Sequence, residues 1–427
     1  MTKADKEGQR KTPILRFKGF TDDWEQRQLG EIGTTYSGLS GKNKSDFEKG
    51  NSNFVTFLEV LNNPILKNID LTNKVEIKEN EHQNKVKRND ILFNTSSETP
   101  EEVATSTVVD VNQDNLYLNS FCFGFRPNVQ FSNYYIGYYL RSNHFRNRVF
   151  CLAQGISRYN ISKKSLIKLK LSLPKLEEQD KIGKIFNQVE LLLTLYERKL
   201  KLLSQVKKYF LDNLFAEKEY PNLRFKGFTD AWEKIKLKDT QTTLTDGNYA
   251  NLYPKPADMT DADKGIPFLT GGNLKNGILD LENAKYITKE KHSQLKSGHL
   301  EEDDIVIAVR GSLGELGYVT KQNIDWNINS QLAIIRTSKN ELIGKFLLYF
   351  FLSSKGKSKL LSRQTGTALK QLPLQQLKTI VVPKTLLLEQ QKISNILKTI
   401  DKTISFYKGK QQHFAEIKNT LLNTMFI

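Results

Sequence analysis

Two stretches of this 427-residue chain combine side chains that grip phosphates with side chains that read base edges. The first is Gln154-Gly155-Ile156-Ser157-Arg158-Tyr159-Asn160, followed by Ser162-Lys163-Lys164. The second is Arg363-Gln364-Thr365-Gly366-Thr367-Ala368-Leu369-Lys370-Gln371. Gly155 and Gly366 permit close backbone approach. Ser157, Thr365, Thr367, Arg158, Arg363, Lys163 and Lys370 suit phosphate oxygens, and Asn160, Gln371 and the arginines suit base edges. Tyr159 stands inside the first stretch. Taken singly, each residue fits a solvated basic loop equally well. Their equivalent places in two repeats make them candidate DNA contacts. Lys42 and Lys44, in a Gly/Ser-rich stretch, are a weaker candidate.

Catalytic chemistry finds no comparable support. Arg310-Gly311-Ser312-Leu313-Gly314-Glu315-Leu316-Gly317 is glycine-rich but lacks the Lys-Ser/Thr of a P-loop and the spacing of a dinucleotide fingerprint. It reads as a hairpin before another strand at 318–320, with Arg310 free to meet the DNA backbone. His82, His144, His292, His299 and His413 show no metal-ligand spacing to one another or to cysteine, which gives them surface or helix-face roles. Glu101-Glu102, Glu301-Glu302 and Asp303-Asp304 invite comparison with a nuclease metal site. The last pair, at a strand start, more simply ends a turn. Cys122 and Cys151 lie among apolar and aromatic residues and read as buried free thiols. The expectation is no catalytic residue and no metal ligand.

A duplicated frame positions the two loops. Leu15-Arg16-Phe17-Lys18-Gly19-Phe20-Thr21-Asp22 recurs unchanged at 223–230, an offset of 208 (223 − 15), and both copies continue into Trp-Glu. Asn119-Ser120 before a strand ending in Arg126 parallels Asn329-Ser330 before one ending in Arg336. Asp90-Ile91-Leu92 parallels Asp304-Ile305-Val306, and Pro174-Lys175 parallels Pro383-Lys384. Glu178-Gln179 and Glu389-Gln390 follow those prolines.

Next comes a seam whose spacing alternates three and four: Ile182, Ile185, Val189, Leu192, Tyr196, Lys199, Leu203, Val206 and Phe210. Shifted by 211 it returns as Ile393, Ile396, Ile400, Thr403, Tyr407, Lys410, Phe414, Ile417 and Leu421. This predicts two coiled-coil helices that pair with each other, each of about 40 residues or roughly 60 Å. Lys199 and Lys410 interrupt the seam as register devices, as contacts to a partner's carboxylates, or as snorkelling side chains.

Between the helices lie two mixed globules. Strands are expected at 54–60, 90–94, 105–111, 121–125, 304–310 and 331–337, with late helices at 133–153 and 341–361. The repeated octapeptide reads as a packed entry segment in preference to a partner-docking motif. The expected architecture is α+β (mixed): two globular domains joined by two long antiparallel coiled-coil helices, with internal pseudo-twofold duplication. The segments are an entry at 1–23, a first globular domain at 24–174, a central helical region at 175–222, a second entry and globular domain at 223–383, and a C-terminal helical region at 384–427. Glu217 to Asn222 reads as a connector. The stretches 246–254 and 270–273 have no counterpart in the first half, so one scaffold carries two different faces.

Composition agrees with a folded protein that has a polyanionic partner: 38% hydrophobic, 26% charged, net charge +17 and pI near 9.4. The polar start carries no signal or transmembrane pattern, so the chain reads as cytoplasmic, with no membrane association.

The order and repetition of these features resemble the specificity subunit of type I restriction–modification systems. The resemblance rests on the Leu-Arg-Phe-Lys-Gly-Phe entries, the arm start from Leu173 to Gln179, the stretch from Asp90 to Pro100, and the divergent globules. The second arm start reaches Glu389-Gln390 two residues later than the first. The resemblance implies that each domain binds one half of a split double-stranded DNA target and that the helices set the gap. It further implies two modification subunits bringing S-adenosylmethionine and two restriction subunits using ATP and magnesium, with no cofactor on this chain and no catalysis by it. The competing readings are an unrecognised metal-dependent nuclease and a coiled-coil adaptor that binds protein.

Overall fold

The computed structural model describes residues 11–215, 219–366 and 370–427. Residues 1–10 of the entry segment, 217–218 of the connector, and the candidate contact Thr367 lie outside the described residues. The chain divides into two compact units, Met1–Glu197 with Gly409–Ile427, and Arg198–Lys408. The division falls inside both long helices, Leu176–Leu214 and Leu387–Thr424, so each unit contains a part of each.

In the first unit, five strands run in the order Gly33–Ser37, Cys122–Pro127, Ile91–Asn94, Ser106–Val109, Ile65–Leu66. In the second, Thr243–Asp246, Leu332–Arg336, Ile305–Ala308 and Leu316–Tyr318 repeat the order of the first four. In each unit a two-stranded ribbon joins the strand after the entry segment to the strand before the long helix: Glu25–Gln28 with Lys170–Leu173, and Glu233–Lys236 with Val381–Lys384. Second sheets differ. Lys74–Val75, Phe47–Val55 and Leu116–Leu118 form three strands in the first unit, whereas the second has four, Met259–Thr260, Lys285–Ile287, Ile266–Leu269 and Asn327–Ile328. The fold is mixed α and β, and the duplication extends to topology.

Several sequence expectations need correction. The strand expected at 54–60 ends at Val55, and helix Phe57–Asn62 follows. Thr56 and Glu59 form a reciprocal capping box there, which fixes a helix start against the β-branched pattern. Each late helix is two helices. Asn133–Tyr139 gives way to Asn143–Phe150, and Gly344–Leu352 to Ser354–Leu361. Ser142 and Ser353 break them identically, donating to the carbonyls of Tyr139 and Phe350 and accepting from the amides of Phe145 and Gly356. Cys122 is buried but Cys151 is exposed, because it follows the end of its helix and faces away from the core.

The repeated motifs meet at the start of each long helix. Arg16 grips both oxygens of buried Glu178 at 2.7 and 2.9 Å. Arg224 grips buried Glu389 at 2.8 and 2.9 Å. The neighbouring glutamines, Gln179 and Gln390, accept from the amides of Ser132 and Ile343 at 3.1 and 2.9 Å, where the late helices of the globules begin. Leu15 and Leu223 donate backbone hydrogen bonds to the carbonyls of Thr424 and Asn213, at the last turn of the other long helix. The octapeptide is therefore a packed staple joining one helix start, one helix end and a globule.

Within each unit the long helices run antiparallel. In the first, Lys418 pairs with Glu190 at 2.6 Å and the ring of Tyr196 meets Phe414. In the second, Lys207 pairs with Asp401 at 2.6 Å and Lys199 donates to the Tyr407 hydroxyl at 2.6 Å. Both ion-pair partners are shifted by 211 residues (418 − 207 and 401 − 190). Ile182, Val189 and Ile393 are buried, and Ile185, Leu192, Leu203, Phe210, Ile396, Ile400, Ile417 and Leu421 are half-buried. Val206, expected in the seam, is instead 43% exposed. Lys207 faces the partner helix in its place, since an uncoiled helix drifts from a strict 3.5-residue repeat.

The helix ends then enter the cores. Phe426 stacks among Tyr135, Tyr139 and Phe186 in the first unit, and Phe215 lies against Phe346 and Phe350 in the second.

Substituting Arg224→Ala would leave the Glu389 carboxylate buried without its cation. Such losses cost about 3–5 kcal/mol. The urea midpoint of the purified chain should fall accordingly, whereas Lys11→Ala, which removes an exposed pair with Asp23, should leave it in place.

Candidate nucleic-acid interface

The two candidate stretches are closed by matching backbone bridges. Gln154 and Asn160 exchange backbone hydrogen bonds at 2.9 and 2.8 Å, and Thr365 and Gln371 do so at 2.8 and 2.9 Å. The second pair is the first shifted by 211. Gly155 and Gly366 follow the first residue of each pair with φ of +137° and +88°. A side chain at Gly155 would place its Cβ 2.1 Å from the Arg158 carbonyl oxygen, so the tight tip requires glycine.

Arg158 lies beside a ring. Its guanidinium is 5.7 Å from the centre of Phe121, and its Nε donates to Ser96 Oγ at 3.3 Å. Phe121 is 55% exposed. Tyr159 and Asn160 pair with Ser97 and Ser96 respectively, which ties the hairpin to the end of the main sheet. Lys163 begins a short helix capped by Ser162 and donates to Ser37 Oγ at 2.6 Å. Ser157 is exposed at the tip beside Ile156, an apolar side chain 96% exposed.

The second unit has a different version of this arrangement. Arg310 forms a bridge to Gln371. Its guanidinium lies 5.6 Å from the ring centre of Tyr249 and donates to the Tyr249 hydroxyl and the Ser330 carbonyl. Tyr249 is 42% exposed and donates to Asp246 at 2.9 Å. Burial, then Asp246, holds its phenol above the usual range. Strands Ile305–Ala308 and Leu316–Tyr318 pair antiparallel, so the glycine-rich stretch is a hairpin, with its second strand starting two residues earlier than expected. Arg363, Thr365, Gly366 and Lys370 are exposed.

Phe121, Tyr249 and Ser96 are not among the DNA contacts expected from the sequence, although Tyr249 and Ser96 lie in stretches noted there. Each arginine is far from its ring in the chain, so no local spacing reports the contact. Lys42, by contrast, is committed to Glu81 at 2.5 Å and to the Glu76 carbonyl.

Of the acidic pairs that resemble a nuclease metal site, Asp303, Asp304 and Glu102 serve the frame, as does Asp90. Arg126 holds Asp90 with two hydrogen bonds at 2.9 and 2.6 Å, and Arg336 holds Asp304 at 2.8 and 2.7 Å. Both aspartates also accept a turn amide, from Lys87 and Glu301. Burial still raises the Asp304 carboxyl above its ordinary value against the opposing effect of Arg336. Asp303 accepts the amides of Gly344 and Lys345 at a helix start, and Glu102 accepts from Ser97. The histidines are not all scattered: folding brings His292 and His299 together with Asp325.

The family model described as the type I restriction modification DNA specificity domain matches residues 21–205 and again 230–415. The chain belongs to the specificity subunits of type I restriction–modification systems. It is 24% identical over 423 residues, covering 95% of this chain and 93% of its relative, to a Methanocaldococcus jannaschii protein assigned as the MjaX type I restriction enzyme specificity subunit. It is 30% identical to the Escherichia coli EcoBI specificity subunit, but over 31% of this chain and 28% of that one. Among solved structures, the S subunit from M. genitalium has a TM-score of 0.60 at 17% identity, covering 97% of this chain and 99% of that one. A chain from a study of complex assembly and conformational transition in a type I system has a TM-score of 0.55 at 16% identity, covering 94% and 96%. Among the described residues of this specificity subunit, no helix is long and apolar enough to cross a membrane.

Substituting Gly155→Ala should reset the first hairpin, because the added Cβ meets backbone. DNA binding, followed by fluorescence anisotropy, should weaken tenfold or more. The thermal midpoint should move by only a degree or two, since the tip lies outside the core.

Proposed function

We propose that this specificity subunit recognises one asymmetric, two-part DNA site, with each globular domain taking one half. Partner subunits would then methylate adenine or cleave the DNA. The observation that carries this reading is the pair of equivalent bridges, Gln154 with Asn160 and Thr365 with Gln371. Arg158 within the first and Arg310 beside the second each lie over an exposed ring, yet the side chains around them differ. A shared frame puts the contacts at corresponding places, and unlike side chains give each place a different readout. The net charge of +17 supplies the sequence-independent attraction to phosphates.

In this reading the chain contributes recognition and no catalytic group, in keeping with the commitment of Asp90, Asp303, Asp304 and Glu102 to internal bonds. Two modification subunits with S-adenosylmethionine dock on the long helices, and two restriction subunits with ATP and magnesium join for cleavage. Exposed Leu191, Leu195, Leu202 and Tyr209 on the first long helix offer apolar surface for such docking. The complex acts in the cytoplasm, where its DNA is.

Co-expression with the modification subunit, followed by genome-wide mapping of methylated adenine, tests the whole reading. A two-part motif with a fixed gap, absent without this chain, is the expected result. Methylation that ignores the chain, or magnesium-dependent cleavage by the chain alone, would overturn it. Exchanging residues 234–383 for those of another family member should change one half of the motif; a change in both halves would refute modular readout. Arg158→Ala and Lys370→Ala should each weaken binding. For a phosphate contact at Lys370, the slope of log affinity against log salt should fall by about one.

A further inference from the structure

Three side chains in the second unit meet although the DNA-contact reading gives them no role. His292 lies on the short helix Lys289–Gln294, His299 follows it, and Asp325 precedes strand Asn327–Ile328. One ligating atom from each lies within 4.8 Å of the other two. His292 Nε2 is 3.2 Å from one Asp325 oxygen, and His299 Nδ1 is 3.4 Å from the other. The two rings sit edge to face with centres 4.7 Å apart.

The remaining ring nitrogens are already held. His299 Nε2 donates to the Leu295 carbonyl at 2.9 Å, and His292 Nδ1 meets the side-chain amide of buried Asn327. Ligating histidines are oriented in this way by partners on the far nitrogen. A carbonyl only accepts, so the proton of a neutral His299 ring is on Nε2, and Nδ1 turns its lone pair toward the Asp325 carboxylate. Two acceptors facing each other repel; a cation between them reverses the sign.

The distances point the same way. Charge-assisted N–H···O contacts close to about 2.7–2.9 Å, shorter than either distance here. Ligand atoms on a zinc tetrahedron with bonds of about 2.0–2.1 Å are spaced about 3.3 Å apart, and each ring nitrogen lies near that spacing from a different oxygen of the Asp325 carboxylate. Two imidazoles and one carboxylate suit zinc among the divalent metals and leave a fourth position for water.

We propose that His292, His299 and Asp325 bind one divalent transition-metal ion, zinc by preference. The ion ties helix Lys289–Gln294 to the strand Asn327–Ile328. That strand leads directly into Ser330, whose carbonyl receives Arg310. The ion braces the segment that carries the second domain's contact face.

The test uses the full chain, stripped with chelator and then titrated with zinc chloride alone by calorimetry, with cobalt as the spectroscopic probe. Asp325→Asn removes an exposed ligand and His299→Gln a half-buried one. The expected result is a saturable zinc step that each substitution weakens at least tenfold. Four-coordinate cobalt absorption should be lost in both variants, and zinc should raise the melting midpoint of the unsubstituted chain but not of Asp325→Asn. Should His299→Gln fail to fold, Asp325→Asn decides. Absence of a saturable step, or a step unchanged in Asp325→Asn, overturns the site. Melting that responds to pH and not to zinc makes the cluster a simple ion pair and also overturns it.

Discussion

A carboxylate buried at the first turn of a long helix must be met by a cation, and this requirement organises each unit. Glu178 and Glu389 are almost wholly removed from water. Removing such a charge from water costs several kcal/mol unless it is paired and hydrogen-bonded. Arg16 and Arg224 supply two hydrogen bonds each, and Glu389 also accepts from Trp232 Nε1. The arginine belongs to the entry segment and the glutamate to the helix. The adjacent glutamine caps a helix of the globule. One dipeptide, Glu-Gln, therefore fixes three parts of the unit at once, and its position next to Pro174-Lys175 or Pro383-Lys384 sets where the helix can begin.

The helix pair depends on polar contacts more than its seam suggests. Lys207 with Asp401, and Lys418 with Glu190, cross between helices at half-buried positions. Tyr349 adds a hydrogen bond to Asp401 at 2.8 Å, linking the pair to its globule. Lys199, an awkward residue in an apolar seam, lies 4.1 Å from the centre of the Tyr407 ring, where a cation gains from the ring's negative face. Directional contacts of this sort specify register, which a uniform apolar stripe does not. The final turns are different. Phe215 and Phe426 are buried aromatic plugs, and their removal would open cavities in cores built from several rings.

The frame and the faces follow separate rules. The frame repeats: the order of the main strands, the Asp90–Arg126 and Asp304–Arg336 pairs, the helix breaks at Ser142 and Ser353, and the loop-closing bridges 211 residues apart. The faces diverge: Phe121 under Arg158 in one, Tyr249 under Arg310 in the other, and a second sheet of different composition. A guanidinium held over a ring keeps its donors directed and its entropy low. Divergence at these points alters what is contacted without disturbing what holds the loop in place.

The sequence by itself determined the duplication, the mixed fold, the long helices and the equivalence of the two candidate loops. Those features are written in repeats and periodicities, which depend on neighbours along the chain. It also located the Glu-Gln arm starts and the paired Asp and Arg positions, though not that they bind one another. The capping box at Thr56 and Glu59 was legible locally but masked by the strand-like pattern around it. Only the tertiary structure decided the rest. Val206 left the seam because real helices drift from the heptad, and Cys151 reached the surface because its helix ended early. Arg158 met Phe121, and His292 met His299 and Asp325, because folding closes distances that sequence spacing cannot report. Burial and through-space pairing are properties of the packed chain, and the chemistry of both candidate sites depends on them.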